Sequence, residues 1–162
     1  MFTMKSTVRV LLAAAGLVAA LTLAACGNNN TNTGGEGGAG GALSLAADGE
    51  NLAFKPATLT AKTGSDVKVT FNNTSTAQQH NWVLVNGGDD VASQVDEGAV
   101  AAGAPDYIPA DAANVIAHTS MQAPGSTGEA SFKAPAPGTY TFLCTYPGHF
   151  AAGMKGTLTV EP

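Results

Sequence analysis

Cys144-Thr145-Tyr146-Pro147-Gly148-His149-Phe150-Ala151-Ala152-Gly153-Met154 places a thiol, an imidazole and a thioether in one short stretch, spaced C-x4-H-x4-M. The rest of the chain is poor in reactive side chains, and this set of donors suits copper. A thiolate and imidazoles in a trigonal set, with a weak axial thioether, form the ligand shell of blue-copper sites; soft sulfur favours Cu(I), while imidazole also accepts Cu(II). The stretch is one imidazole short of that shell. His80 is the best candidate, because it stands just before the apolar segment Trp82-Val83-Leu84-Val85, which can lie beside the strand leading into Cys144.

The elements that must position these residues are legible around them. Tyr140, Phe142 and Cys144 alternate with Thr139, Thr141 and Leu143, so in an extended strand the thiol shares a face with two aromatic rings and points inward. Pro147-Gly148 then marks a turn, which brings His149 back toward the sulfur. Gly153 gives Met154 similar freedom before Lys155-Gly156-Thr157-Leu158-Thr159-Val160 resumes as an alternating strand. Taken singly, each residue has a plainer reading: a strand Cys as a small inert hydrophobe, a Met as core filler, a His as a hydrogen-bonded structural residue. Their conjunction, with a turn between them and no other Cys in the folded part, argues for a metal centre. His149, beside Pro147, Phe150, Ala151, Ala152 and Gly153, is expected to reach the surface through a small apolar patch. His80, next to Trp82, stays deeper; in the alternative, Phe150 folds inward as core.

Cys144-Thr145-Tyr146-Pro147-Gly148-His149 followed by Met154, together with His80-Asn81-Trp82-Val83-Leu84, resembles the cupredoxins, and within them the azurin-like group. The C-x4-H step is similar to azurins. The H-x4-M step is one residue longer and is similar to the auracyanins of filamentous photosynthetic bacteria. The resemblance covers roughly Leu43 to Pro162, and the disulfide usual in azurins has no counterpart here. It implies a Greek-key fold, one copper ion and electron transfer to redox proteins such as membrane complexes and cytochromes. It also implies that the backbone carbonyl of Gln79 lies near the axial side opposite Met154, and that Asn81 and Thr145 hydrogen-bond to lock the two ligand-bearing segments together.

The chain has 162 residues, 44% of them apolar and 12% charged, which allows one domain with a real core. Met1 to Ala25 has the form of an export signal, with Lys5 and Arg9 ahead of an apolar run. From Val10 to Ala25 the run is 16 residues, short of the ~20 that span a bilayer core. Leu23-Ala24-Ala25-Cys26 resembles the bacterial lipobox, whose Cys becomes the lipidated first residue of the mature protein. Both cysteines then have separate roles, anchor and metal ligand, and no disulfide is needed. Gly27 to Gly41, rich in Gly, Asn and Thr, cannot bury enough surface to offset its ordering entropy and reads as a tether of ~20 Å typical span. The domain organisation is thus a signal over 1–25, a lipidated Cys26 with tether over 26–42, and a cupredoxin-like domain over 43–162. The Asn-x-Thr/Ser triplets at Asn29, Asn72 and Asn73 match a glycosylation pattern in form only.

The folded part reads mostly as short strands: Leu43–Ala47, Leu52–Phe54, Thr58–Ala61, Val67–Phe71, Thr119–Gln122, Ala130–Lys133 and Gly138–Leu143. Seven or eight strands with frequent turns predict an all-β Greek-key sandwich or barrel. One segment differs. Between Gly87 and His118, Asp89 or Asp90 is placed to cap a helix through Val91, Val95 and Val100 that ends at Gly103, and Pro109 is placed to start a second short helix. This partly helical flap is similar to that of azurin-like proteins; His118 closes it as a structural residue.

Without the signal, five lysines against twelve acids leave a formal charge of −7. Nucleic acid, which binds through phosphate neutralisation, is not an expected partner. No Ser/His/Asp set or phosphate-cradling loop points to an enzyme, and three histidines are too few for a multicopper oxidase. The leading expectation is a monomeric, membrane-tethered electron carrier on the outer face of the cell membrane, in a photosynthetic or respiratory chain. Its rival is a copper-handling protein, scavenger or donor, with an exchangeable ion; a third reading is an adhesion-type β-sandwich with a fortuitous motif.

Overall fold

The computed structural model describes residues 41–162. The segments expected to be an export signal, a lipidated Cys26 and nearly all of a tether lie outside them. Among the described residues nine strands form two sheets. The first, in the order β2-β1-β4-β7, contains β1 (Ala42–Asp48), β2 (Asn51–Lys55), β4 (Asp66–Asn72) and β7 (Thr127–Lys133). The second, in the order β3-β9-β8-β5-β6, contains β3 (Thr58–Lys62), β5 (Val83–Val85), β6 (Val115–His118), β8 (Gly138–Leu143) and β9 (Lys155–Glu161). The β1/β4 and β3/β9 pairs are parallel, the remainder antiparallel.

Period-2 patterning drives the sandwich. Val67, Val69 and Phe71 of β4, Leu43, Leu45 and Ala47 of β1, and Leu158 and Val160 of β9 all point into one core, while their neighbours along each strand face solvent. Aromatic rings bridge the two sheets. Phe54 meets Phe71 and Phe142 edge to face at 5.7 and 5.3 Å, and Trp82 lies 6.0 Å from Phe142. Such pairs add about 0.5–1.5 kcal/mol each beyond the area they bury. Gly156 is required by the same ring: a Cβ there would run into Phe142 and the Ala57 carbonyl.

The strand carrying the thiol departs from simple alternation. Phe142 and Cys144 belong to the main core as expected, yet Thr141 and Leu143 are buried as well. The reason is the helix α1 (Asp89–Ala102), which covers the outer face of the second sheet and forms a second apolar cluster of Val83, Val85, Ala92, Val95 and Leu143. β5 is therefore buried on both faces.

The flap corrects the sequence reading in four respects. The residue at the helix N-terminus is Gly88, without a side-chain cap. Asp89 lies inside the first turn and faces the sheet, accepting from the Thr141 hydroxyl at 3.0 Å and pairing with Lys155. The buried stripe is Ala92, Val95 and Ala99, whereas Val100 is 45% exposed, because small residues let the helix approach the sheet closely. Residues 103–114 form turns with no second helix, and the strand expected over Thr119–Gln122 is instead Val115–His118, leaving Gln122 as an isolated bridge to His80. His118 ends β6 in an exposed position.

Asp96 lies one turn from Ala92 and Ala99 on the inward side of α1. Its Oδ1 is buried with no hydrogen-bond partner among the described residues. Burial, aided by the charge of Glu97, pushes its carboxyl up to about 6. The folded state therefore holds this proton more tightly than the unfolded chain, so the stability attributable to Asp96 falls as pH rises from about 4 to about 6. Asp96→Asn removes that cost. Thermal unfolding is expected to show the variant about 1 kcal/mol more stable than wild type at pH 7, after allowance for solvent screening, and no different near pH 3.

Candidate metal centre

Two segments meet at the end of the sandwich. His80 follows an irregular loop after β4, and its backbone is fixed by two bonds to Gln122: the His80 N–H donates at 3.1 Å and the Gln122 N–H at 2.8 Å. β5 then runs beside β8, with Val83 opposite Leu143 and Leu84 opposite Phe142, which places His80 near Cys144 as the sequence predicts. On the other side, the loop from Cys144 to Met154 is closed at its neck. The Cys144 N–H donates to the Met154 carbonyl at 3.1 Å, and the Met154 N–H to the His149 carbonyl at 2.9 Å. Gly148 and Gly153 take positive φ, +84° and +104°, at the two turns. These are the left-handed conformations that L side chains rarely adopt.

The result is convergence. His80 Nδ1 and His149 Nδ1 lie 3.1 Å apart, and Cys144 Sγ lies 3.7 and 3.5 Å from them. A point equidistant from atoms at these separations is about 2 Å from each, the bond length that first-row divalent ions make to imidazole and close to that for thiolate. Met154 is fully buried in the same core cluster. The described residues contain one such grouping of His, Cys and acidic side chains, and it is buried throughout. Two imidazole nitrogens and one thiolate sulfur in a triangle, backed by a thioether, make a copper site by the chemistry of the donors.

Electrostatics prepares it. Burial, then the neighbouring His149, pushes His80 down to about 4, and burial lowers His149 as well, so both rings are neutral acceptors at neutral pH. The Cys144 thiol is pushed up to about 11, chiefly by burial; the backbone N–H groups of Tyr146 and Asn81 oppose this, and the charge of Asp96 adds to it. The metal-free thiol therefore keeps its proton, and ligation must displace it. Around the donors, Asn81 and Thr145 exchange two buried bonds, the Asn81 amide to the Thr145 hydroxyl at 2.8 Å and the Thr145 N–H to Asn81 Oδ1 at 2.9 Å. The same two residues reach the flap. Asn81 donates to the Asp106 carbonyl at 3.0 Å and Thr145 to the Tyr107 carbonyl at 2.6 Å, holding Tyr107 at φ +50°.

The expected exposure is found in part. His149 retains 6% exposure and His80 none. Pro147, Ala151, Ala152 and Gly153 are exposed, but Phe150 turns partly inward against the second apolar cluster, with Lys155 over its ring. Gln79 is an exposed residue on a shallow concavity shared with Pro124 and Tyr146. Sequence reasoning did not find Asp106, Tyr107 or the role of Asn73. Asn73 is fully buried and donates to the Gln78 and Gln122 carbonyls at 2.8 and 2.9 Å, so its glycosylation-like triplet has a structural explanation. Two neutral imidazoles and one protonated thiol predict that loading with Cu(II) at pH 7 releases about one proton per ion, measurable with a pH indicator in weak buffer.

The model of copper-binding proteins of the plastocyanin/azurin family matches residues 42–161. The chain is 40% identical over 163 residues to auracyanin-A of Chloroflexus aurantiacus, covering 98% of this chain and 100% of that protein. It is 47% identical over 113 residues to auracyanin-B of the same organism, covering 68% and 48% of the two chains. Among solved structures, the dithionite-reduced auracyanin of Roseiflexus castenholzii is 58% identical with a TM-score of 0.75, over 77% of this chain and all of that one. The sandwich of nine strands and the buried donor set agree with these similarities. The chain therefore belongs to the plastocyanin/azurin family of copper-binding proteins, as a blue copper electron-transfer protein of the auracyanin/azurin type that holds a single copper ion.

Proposed function

We propose that this chain is a lipid-anchored carrier of single electrons, with His80, Cys144 and His149 as the equatorial ligands of its copper ion, Met154 as the axial ligand and the Gln79 carbonyl on the opposite axial side. The observation that carries this reading is that the three nitrogen and sulfur donors already stand within 4.8 Å of one another, all buried. Copper, when bound, supplies the Cu(I)/Cu(II) couple. The protein's part is to hold the donors, exclude water and keep the sulfur in a dry pocket. A cage fixed by backbone bonds on both segments moves little between oxidation states, which is what rapid one-electron exchange asks for. The copper-handling alternative predicts exposed, exchangeable donors, and full burial of Cys144 and Met154 favours the carrier.

Electrons are proposed to pass near His149, the less deeply buried imidazole, beside the exposed Pro147, Ala151 and Ala152. A small apolar contact of this kind suits brief encounters, whose interfaces fall below ~1,200 Å². Export and acylation at Cys26 place the domain on the outer face of the cell membrane, on its Gly/Asn/Thr tether. Similarity to an auracyanin from a photosynthetic bacterium supports membrane electron-transfer complexes and cytochromes as partners. The protein acts as a monomer in this reading, and its chemistry is electron transfer, not turnover of a substrate.

Two experiments test these assignments. The copper-loaded domain is expected to show an intense thiolate-to-copper absorption that bleaches on reduction and returns on oxidation. Cys144→Ser abolishes it, and Met154→Gln keeps the copper with a shifted potential; an unchanged potential in Met154→Gln would remove Met154 from the ligand set. For the anchor, Cys26→Ser is expected to move the protein from membranes to the soluble exported fraction with its spectrum intact. Wild-type protein found in that soluble fraction would rule the anchor out.

A further inference from the structure

Glu50 lies in the turn between β1 and β2, distant in sequence from every donor. Its carboxylate nevertheless grips the loop that delivers His80. Oε1 accepts from the Thr76 N–H at 2.6 Å and the Thr76 hydroxyl at 3.0 Å, and Oε2 accepts from the Ser75 hydroxyl at 3.0 Å. Ser75 Oγ in turn accepts the N–H groups of Ala77 and Gln78 at 3.1 and 2.8 Å. Asn73 Oδ1 accepts the Ser75 N–H at 3.1 Å, and the Asn73 amide donates to the carbonyls of Gln78 and Gln122. The Gln122 carbonyl also receives the His80 N–H, which closes the chain of contacts from Glu50 to the ligand. A second link grips the same turn, since the Gly49 N–H donates to Thr74 Oγ1 at 3.1 Å and that hydroxyl donates to the Ala47 carbonyl.

Residues 73–79 belong to no strand or helix, so between Asn73, whose backbone is bonded to Ser126 and Gly125, and the bridge of His80 to Gln122 no ladder of backbone bonds orients the loop. Side chains must satisfy and orient this backbone instead. Glu50 is the charged member of the set, and bonds to an ionised acceptor are roughly twice as strong as neutral ones. The Thr76 N–H, then the Ser75 and Thr76 hydroxyls, hold its carboxyl below the ordinary range, so it is an anion at neutral pH.

We propose that Glu50 is a positioning residue for the copper ligand His80: through Ser75, Thr76 and Asn73 its carboxylate fixes the loop that aims the imidazole at the metal. The inference rests on the assignment of His80 as a ligand. Glu50 is itself solvent-exposed, so its removal leaves no core cavity; a partner bonded directly to a ligand typically changes metal binding 10- to 100-fold, and Glu50, acting through intervening residues, belongs at the low end of that range.

The test uses the copper-loaded protein and its Glu50→Ala and Glu50→Gln variants. Absorption and paramagnetic resonance spectra of the wild type come first and report on the copper site itself. Only differences between variants and wild type report on Glu50. Transfer of copper to a chelator is expected to be about tenfold faster in Glu50→Ala, with altered copper hyperfine splitting and a shifted midpoint potential. Glu50→Gln, which keeps one acceptor oxygen for Thr76, falls between. Thermal unfolding of the metal-free proteins separates aim from fold. Equal rates, spectra and potentials in all three proteins overturn the proposal. So does a loss of metal-free stability in Glu50→Ala accompanied by wild-type copper retention and spectrum, because Glu50 would then serve the fold alone.

Discussion

Two buried hydrogen bonds between Asn81 and Thr145 hold this molecule's function together. Each residue follows a donor directly, Asn81 after His80 and Thr145 after Cys144, so the pair fixes the separation of two segments that are 64 positions apart in the chain. In an apolar interior neither group has water as an alternative, and a lost partner costs the full desolvation of whatever remains, about 1–3 kcal/mol. The pair is also connected outward to the carbonyls of Asp106 and Tyr107. The flap is thus tied to the site by polar bonds at one end. At the other it is tied by Asp89, through Thr141 and Lys155.

Covering the outer face of β5 and β8 with α1 has a physical consequence for the metal centre. A sheet solvated on one side would leave Leu143 exposed and bring water within one residue of the sulfur. With the helix in place, both faces of the strand before Cys144 are dry, and the thiol sits where burial dominates its proton affinity. Asp96 is discordant there: a carboxyl on the inward side of that same helix, raised by burial and acting on Cys144 through its charge.

Much of this was readable in the letters. The spacing C-x4-H-x4-M, the alternation of Tyr140, Phe142 and Cys144, and the glycines at 148 and 153 specify the ligand loop, because each acts through local geometry. His80 was legible from its place before an apolar strand. The misreadings concern tertiary context. Val91 and Val95 do lie on the core side of the helix, but Val100 does not and Ala99 packs there in its place, since sheet proximity decides the face and hydrophobicity alone does not. Thr119–Gln122 has strand-like composition but takes up a single bridge that serves His80. Glu50 carried no signal of its own and Asn73 only a glycosylation-like triplet, because their importance arises only when the β1–β2 turn is folded beside the loop after β4.

The neck formed by Cys144 and Met154 makes the ligand loop a self-contained cassette. Its ends are joined by their own backbone bonds, and the residues that protrude, Ala151, Ala152 and Gly153, lie outside that closure in solvent. A residue gained or lost at this tip changes the loop's outer contour while the neck and the registers of β8 and β9 stay as they are. The exposed tip is therefore the part of the loop whose length and outline are separable from metal geometry, because the closure beneath it does not depend on them.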